Sequence, residues 1–211
     1  MPTPTSVALE PRKQPRQARS QVTVDAVFDA TIQVLLSDGH QRLTTTRVAD
    51  RAGVSVGTLY QYYPNKQALL YAVLQRHLIR VGDRVEAAAR ATHHAPLGVM
   101  VASVVEAFVC AKTERIDEAR ALYGVASEVD SVELVKSIGK RNRAAISAML
   151  ETASDARFDD LELTTLMFSA AMAGPCRAML ESGAPRRMLR ALLEQVKSLC
   201  LAYLEREASR C

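Results

Sequence analysis

Apolar residues recur along this chain at the three- and four-residue spacing of α-helices. No segment alternates between apolar and polar positions in the way that a half-buried strand does. A first helical stripe starts at Val22 and stops at Ser37-Asp38-Gly39, where Gly39 suits a left-handed C-terminal position. Further helices are predicted over 47–52, 56–62, Lys66 or Gln67 to about residue 91, 97–114, 117–128, 131–154, 159–182 and 185–207. The pattern predicts an all-α fold.

Residues 1–20 are polar and basic and have no apolar period, which predicts a disordered basic arm. The 211 residues are 48% apolar but only 5% aromatic, as expected of a helical protein with a sizeable core. No apolar run approaches the roughly 18 residues that cross a bilayer. The basic start leads into an amphipathic segment and does not resemble a signal peptide, so we expect a cytoplasmic location.

Residue clusters that would carry metal or catalytic chemistry are not found in the sequence. The cysteines lack paired spacing and form no ligand pattern with the four histidines, so we interpret them as buried small residues or free thiols: Cys110, Cys176, Cys200 and Cys211. We find no Ser/His/Asp set, no Gly-rich phosphate loop after a strand and no plausible carboxylate pair. We therefore expect no metal, no cofactor and no enzymatic activity.

Charge is distributed unevenly along the chain. Residues 1–84 hold 11 Lys/Arg against 6 Asp/Glu, whereas residues 85–211 hold 16 against 17. The positive field therefore belongs to the N-terminal third, which is where a polyanion would bind. A basic third alone is weak evidence, because many soluble proteins have one by chance.

Residues 44–66 give a more specific indication of the polyanion, because their spacing fits a helix-turn-helix. Ala49 gives the small contact where two short helices cross, Gly53 begins the turn, and Leu59 anchors the second helix to the core. The threonines 44–46 and Ser55 provide N-caps for the two helices. The alternative is a plain helical corner with two exposed tyrosines, which leaves the coincidence of caps, turn and basic arm unexplained.

The outer face of the second short helix combines small residues with hydrogen-bonding groups, as a helix in the major groove requires. Gln61 could bind an adenine edge, and methyl groups of Val56 or Thr58 could contact a thymine methyl. The hydroxyls of Tyr60 and Tyr62, together with Lys66, suit phosphates. Thr45, Thr46 and Arg47 begin the preceding helix and could hold another phosphate, whereas Tyr63 is expected in the core.

The run from Thr44 to Lys66 closely resembles the DNA-binding signature of the tetracycline-repressor (TetR) family, including its Gly53-Val54-Ser55 turn and trailing lysine. The close match covers about residues 22–75, and Tyr63 departs mildly from the phenylalanine common there. The resemblance implies a helix-turn-helix DNA-binding domain over 21–66, a helical ligand-binding and dimerisation domain over 67–211, and usually repression. It places DNA contacts at Thr45, Thr46, Arg47, Ser55, Val56, Gly57, Thr58, Tyr60, Gln61, Tyr62 and Lys66.

Helices 159–182 and 185–207 are apolar around most of their circumference. Such helices must bury more than one side, which favours pairing with a second copy, as in the four-helix bundle that the resemblance implies. Burial within one chain is the alternative. Gly174-Pro175 is expected to kink the first of these helices, because proline removes a backbone donor.

A ligand cavity is harder to place from the sequence. Phe108, Tyr123, Phe168 and Met172 are adaptable groups that could line an apolar cavity for a small apolar or amphipathic ligand, and the alternative for each is ordinary core. Glu106 could bind a cationic inducer if its side of the helix were buried. The alternative is a solvated glutamate.

Three functional classes follow. The first is a homodimeric repressor whose recognition helices lie roughly 34–36 Å apart on a palindromic operator and which a small-molecule inducer releases by population shift. The second, an enzyme, has no supporting residues. The third is a ligand-blind DNA binder or nucleoid protein, which shares every feature of the N-terminal third. Activation in place of repression also stays open, because the sign depends on where the operator lies.

Overall fold

The computed structural model describes residues 18–126 and 129–210. These residues form a helical fold whose α-helices follow the periodicity of the apolar residues. The α-helices are α1 (Ala18–Asp38), α2 (Thr45–Ala52), α3 (Val56–Tyr62), α4 (Lys66–Ala91), α5 (Leu97–Thr113), α6 (Ile116–Ala126), α7 (Val132–Glu151), α8 (Leu161–Glu181) and α9 (Arg186–Glu207). The all-α prediction is confirmed.

One compact unit contains the described residues up to His77 together with the described residues between 121 and 131. Its core is formed by apolar side chains from α1 to the first turns of α4, among them Val27, Leu43, Leu59, Leu69 and Leu70, each at most 2% exposed. Burial of Ala68, Val73 and Leu74 extends this unit beyond the start of α4. The sequence-based boundary at residue 66 therefore coincides with the start of a helix, while the compact unit continues to His77.

The second compact unit contains residues 78–120 and the described residues from 132 on. Its core is assembled from α5, α7, α8, α9 and the later turns of α4, with Val85, Met100, Ile146, Phe168 and Leu204 fully buried. Helices α5 and α8 both pack against α9. A two-residue antiparallel pairing, Ala156–Arg157 with Ser209–Arg210, joins the end of the chain to the segment before α8.

The structure differs from the sequence-based prediction in several local features. The two short strands were not expected, because two residues are too few to show an alternating pattern. Helix α1 begins at Ala18, so the last three residues of the predicted arm are helical, while residues 1–17 lie outside the described residues. A 3₁₀ turn, His40–Arg42, links α1 to α2. Helix α8 continues through Pro175, as the predicted helix 159–182 does.

Candidate nucleic-acid interface

Thr44 caps the N-terminus of α2. Its backbone is extended, and its hydroxyl accepts a hydrogen bond from the backbone N–H of Arg47 at 3.3 Å. This bond satisfies one of the N–H groups that a helix start leaves without an intrahelical partner. The cap therefore fixes where α2 begins and holds Thr45, Thr46 and Arg47 in its first turn.

Gly53 ends α2 in a left-handed conformation, with φ of 68° and ψ of 30°. The N–H of Val54 returns to the carbonyl of Ala49 at 3.0 Å, and the N–H of Gly53 bonds the carbonyl of Asp50 at 3.2 Å. A side chain at positive φ would be strained, so glycine is the residue that permits this tight turn. The turn sets the direction in which α3 leaves.

Ser55 caps α3 immediately after the turn. Its Oγ accepts a hydrogen bond from the backbone N–H of Thr58 at 2.9 Å and lies 2.8 Å from the Thr58 hydroxyl. The Thr58 hydroxyl is thus directed toward the cap, and its methyl group is an apolar contact that the same side chain offers. The sequence-based assignment of Ser55 as a cap is confirmed by this geometry.

The inner faces of α2 and α3 pack closely together. Val48, Ala49 and Leu59 have no exposed surface, so the seam predicted from their spacing is present. Tyr63 is 4% exposed and packs against Phe28, with ring centroids 5.8 Å apart, as expected for a core residue. Burial raises the pKa of the Tyr63 hydroxyl well above its usual value.

Tyr62 requires a correction. It was assigned to phosphate binding, but the side chain is only 7% exposed and its ring lies 6.4 Å from that of Tyr63. The reason is helical phase, since Tyr62 follows Leu59 by three residues and therefore shares its inner face. The structure does not bring Tyr62 together with the exposed residues of α3.

The outer face of α3 exposes the remaining candidates. Gly57, Tyr60 and Gln61 are exposed, while Val56 and Thr58 are half-buried. A methyl group added at Gly57 would meet only the Ser55 Oγ, at 3.6 Å, so the fold itself does not require a glycine there. The absence of a side chain at Gly57 leaves space directly above the helix backbone, where a rigid surface could approach closely.

A hydrogen bond between Thr45 and Tyr60 joins the two short helices on their exposed side. The Thr45 Oγ1 and the Tyr60 hydroxyl lie 3.1 Å apart. Tyr60 is 40% exposed, so its hydroxyl is held in one position while still accessible to solvent. Thr46 is exposed beside them at the start of α2. Gln61, which follows Tyr60 on α3, is exposed as well.

Arg47 is held by a carboxylate in the free protein. Its guanidinium forms a salt bridge with Asp38 at the end of α1. Hydrogen bonds from the Ser37 hydroxyl and from Arg47 keep the pKa of the Asp38 carboxyl below its usual value. About half of the Arg47 side chain remains exposed (53%), so a phosphate could compete with Asp38 for it.

Lys66 has a structural contact that the sequence did not reveal. Its ammonium donates a hydrogen bond to the backbone carbonyl of His40 at 2.8 Å, which ties the start of α4 to the 3₁₀ turn. Asn65 caps α4 by accepting a hydrogen bond from the backbone N–H of Ala68 at 2.7 Å. An asparagine directly after Pro64 was the sequence signal for this cap.

The predicted ligand-binding residues divide between the two units. Phe108, Phe168 and Met172 lie in the core of the second unit, 8%, 0% and 4% exposed. Tyr123 is half-buried on α6 in a segment that belongs to the first unit. The proposed cavity therefore stays a prediction, and Tyr123 is not brought together with the other three within one unit.

Glu106 is exposed and pairs with Lys197, at 3.2 Å between the charged atoms, so the solvated alternative is confirmed. The ionisable side chain that does enter the core from α5 is Lys112, 6% exposed, which the sequence analysis missed. The signal was its position one helical turn after Phe108 on the apolar stripe of α5.

The described parts of the chain contain no cluster of three or more His, Cys, Asp or Glu side chains that could hold a metal ion. Within the same residues, no helix combines the length and the apolar character that spanning a membrane requires. Cys110, Cys176 and Cys200 are free thiols, the last two buried, in agreement with the sequence-based interpretation.

Comparisons with known proteins agree with this geometry. Residues 27–73 match the family model described as bacterial regulatory proteins of the tetR family. Residues 96–204 match the model described as the C-terminal domain of tetracyclin repressor-like proteins, which covers more than half of the chain.

A curated relative is the HTH-type transcriptional repressor KstR of Mycobacterium tuberculosis, 36% identical over 125 residues, which make up 56% of this chain and 57% of that protein. The chain thus matches little more than half the length of this relative. A putative TetR-family regulator from Mesorhizobium loti superposes with a TM-score of 0.72 at 16% identity, covering 92% of this chain and 100% of the other. The SmeT–triclosan complex gives 0.67 at 19% identity, covering 86% and 91%. This chain belongs to the tetracycline-repressor (TetR) family of bacterial regulatory proteins.

Proposed function

We propose that this protein is a sequence-specific, DNA-binding transcriptional repressor that acts as a homodimer on a palindromic operator. The observation that carries the proposal is the arrangement of α2 and α3. Both helices are capped, their inner faces are fully buried, and the left-handed Gly53 directs a polar, sterically open face of α3 outward. This is the geometry that places the first turns of a recognition helix in the major groove.

The exposed residues of this face divide into two roles. Gln61 and the methyl groups of Val56 and Thr58 would contact base edges, with Gly57 permitting the close approach. Thr45, Thr46, Tyr60 and Arg47 would bind phosphates and set the register on the duplex. Ser55 acts chiefly through the cap of α3, and Lys66 through its bond to the His40 carbonyl, which could be exchanged for a phosphate oxygen. Tyr62 supports the face from the core.

The apolar surface of α8 and α9 supports dimerisation. The two helices pack against each other, yet they expose large apolar side chains at Leu163, Leu166, Met167, Met188 and Leu199, each 47–52% exposed. Ala170, Ala173 and Gly174 on the same exposed side of α8 would allow close approach of a second helix. A second copy of the chain, related by a two-fold axis, would cover this surface and present two α3 helices to successive major grooves.

A small-molecule ligand that prefers one spacing of the two recognition helices would release the DNA by population shift. Relatives support this part of the proposal by analogy, since KstR is named a repressor and a structural neighbour forms a complex with triclosan. No enzymatic role and a cytoplasmic location follow from the same assignment. A repressor is favoured over an activator because the aligned relative is one.

The test is a binding titration of the full-length protein on the DNA that flanks its own gene, repeated at several salt concentrations. The logarithm of the affinity should fall linearly with the logarithm of the salt concentration, because each phosphate contact releases counterions. Tyr60→Ala should weaken binding to operator and unrelated DNA alike, since phosphates carry no sequence information. Gln61→Ala should relax the preference at one base pair of each half-site.

Ser137→Ala, which removes an exposed polar group from α7, is the control for Gln61→Ala and should leave operator affinity and base preference unchanged. Full retention of operator affinity and preference by both Tyr60→Ala and Gln61→Ala would refute the assignment of α3 as the recognition helix.

A further inference from the structure

One stripe of α8 carries polar groups into the core of the second unit. Thr165, Phe168, Met172 and Cys176 are 3%, 0%, 4% and 1% exposed, and Ser169 is half-buried between them. Their spacing of three and four residues puts them on the inward face of the helix. The Thr165 and Ser169 hydroxyl oxygens are buried and have no hydrogen-bond partner in the protein. Such orphaned hydroxyls are uncommon in a native core and call for an explanation.

Lys112 enters the same core from α5. It is 6% exposed and lies one turn beyond Phe108 on the buried face of that helix. Its ammonium interacts electrostatically with the Cys176 thiol of α8 and with the Arg80 guanidinium of α4, and burial lowers its pKa to about 8. A lysine is rarely buried to this extent, and strongly perturbed ionisable groups concentrate at functional sites.

The two observations define opposite ends of one line along α8. Cys176, and with it Lys112, marks one end. Ser169 lies about 10 Å and Thr165 about 16 Å away along the helix axis, at a rise of 1.5 Å per residue. The stretch between is lined by Met172 and Phe168, which are apolar, and methionine adapts its shape readily. A cationic group, an apolar stretch and two hydroxyls thus follow one another in that order.

We infer that this stripe is the effector site and that its ligand is an elongated amphipathic organic monoanion. The carboxylate pairs with Lys112, the hydrocarbon chain lies over Met172 and Phe168, and a second polar group bonds to Ser169 or Thr165. The inference rests on the proposed function in treating this ligand as the effector. It reverses the expectation attached to Glu106, because the charged side chain that enters the core from α5 is the cation of Lys112, and an anion is its complement.

Binding requires the core to open, since Phe168 has no exposed surface in the free protein. The ligand would therefore select a minor conformation in which Met172 and its neighbours separate, and it would shift the population toward that state. This provides the link to regulation, because a conformation populated only with ligand can differ in its affinity for DNA.

The test uses the full-length protein and three probes of equal chain length, namely decanoate, methyl decanoate and ω-hydroxydecanoate. Affinities are measured by isothermal titration calorimetry, and each probe is also added to the protein–operator complex. Decanoate should bind at least about tenfold more tightly than its methyl ester, as expected for a charge-assisted hydrogen bond. ω-Hydroxydecanoate should bind more tightly than decanoate, because it also satisfies a hydroxyl of α8.

Two variants assign these preferences to the proposed residues. Lys112→Met should abolish the preference for the acid over the ester, whereas Lys136→Met, which removes an exposed lysine on α7, should preserve it. Thr165→Val combined with Ser169→Ala should abolish the preference for the hydroxy acid and leave that for decanoate over the ester. Circular dichroism spectra confirm that each variant is folded.

Equal binding of acid and ester by the wild type, absence of saturable binding of both acids, or an unchanged preference in a folded Lys112→Met variant would overturn the inference. Operator binding measured on the same samples separates this failure from that of the proposed function. Loss of the anion preference with intact operator binding refutes only the effector site, whereas absence of operator binding refutes the regulator itself.

Discussion

The two compact units differ in where they depart from the usual arrangement of apolar core and polar surface. In the N-terminal unit, Val48 and Leu59 are fully buried, and the hydrogen-bonding groups of α3 face outward. In the C-terminal unit, Leu163 and Leu166 are exposed on α8, while Lys112 lies inside the core. The N-terminal unit thus buries the apolar seam of its two short helices and presents polar groups of α3 to a polar partner. The C-terminal unit also has a large apolar core, but its exposed leucines on α8 suit an apolar partner outside, and its buried Lys112 suits a polar one inside.

The largest expected effect concerns the exposed apolar surface of α8. Leu166→Glu should convert the protein to a monomer, because the carboxylate would be desolvated without a partner in the interface, at a cost of about 3 kcal/mol or more. Two-fold symmetry introduces the charge twice. Sedimentation velocity measures the change. Val135→Glu on α7 is the control, since Val135 is 51% exposed against 48% for Leu166. If both variants sediment as dimers, the exposed face of α8 is not part of the dimer interface.

The second effect concerns the buried lysine and its dependence on pH. Burial lowers the pKa of Lys112 from 10.5 to about 8, so the folded protein releases this proton earlier than the unfolded chain does. The Lys112 contribution to the free energy of unfolding therefore becomes more favourable as the pH rises from about 8 to 10.5. Lys112→Met should raise the free energy of unfolding at neutral pH by on the order of 3 kcal/mol.

Urea denaturation at fixed protein concentration measures this difference, which should vanish above pH 10.5. Subtracting the variant from the wild type largely removes the titration of Cys176 and Cys200, whose thiol pKa values burial raises to about 11 and about 12. A variant less stable than the wild type at neutral pH would show that the fold already compensates the ammonium.

A smaller effect is expected at the turn of the N-terminal unit. Gly53→Ala places a side chain at φ of 68° and should lower the free energy of unfolding by about 1 to 2 kcal/mol. No atom lies within 4 Å of the added methyl group, so the cost comes from backbone conformation and not from a clash. Thermal unfolding measures it, and an unchanged melting temperature would contradict the role assigned to the left-handed turn.

The smallest effect tests the ion pair that holds Arg47. Asp38→Asn removes the competing carboxylate, so operator affinity should rise a few-fold at low salt, and the gain should disappear as salt screens the charges. Glu133→Gln, which removes an exposed, lysine-paired carboxylate from α7, is the charge-matched control. If operator affinity rises equally in both variants, the gain comes from net charge and not from the release of Arg47.

The two units also differ in how much the sequence could predict. A cap among the threonines 44–46, the turn at Gly53 and the cap at Ser55 were identified correctly, because caps and turns depend on neighbours a few residues away. The bond from Lys66 to His40 was missed because it joins residues 26 positions apart. Tyr62 was misplaced because its hydroxyl was given more weight than its helical phase with Leu59.

In the C-terminal unit, Lys112 was overlooked because lysine is ordinarily a surface residue, although its phase with Phe108 pointed inward. Phe168 and Met172 were named as candidate cavity residues and lie in the core, and composition alone cannot distinguish a cavity lining from ordinary packing. The pairing of Ala156–Arg157 with Ser209–Arg210 brings together segments that no local pattern connects.

The central claim is that the outer face of α3 approaches DNA closely, and Gly57→Ala tests it most directly. The added methyl group fits the free protein, and alanine favours a helix over glycine by about 1 kcal/mol. The melting temperature should therefore stay the same or rise, while operator affinity measured by fluorescence anisotropy falls at least about tenfold through loss of groove contact. Unchanged operator affinity in this folded variant would contradict the account.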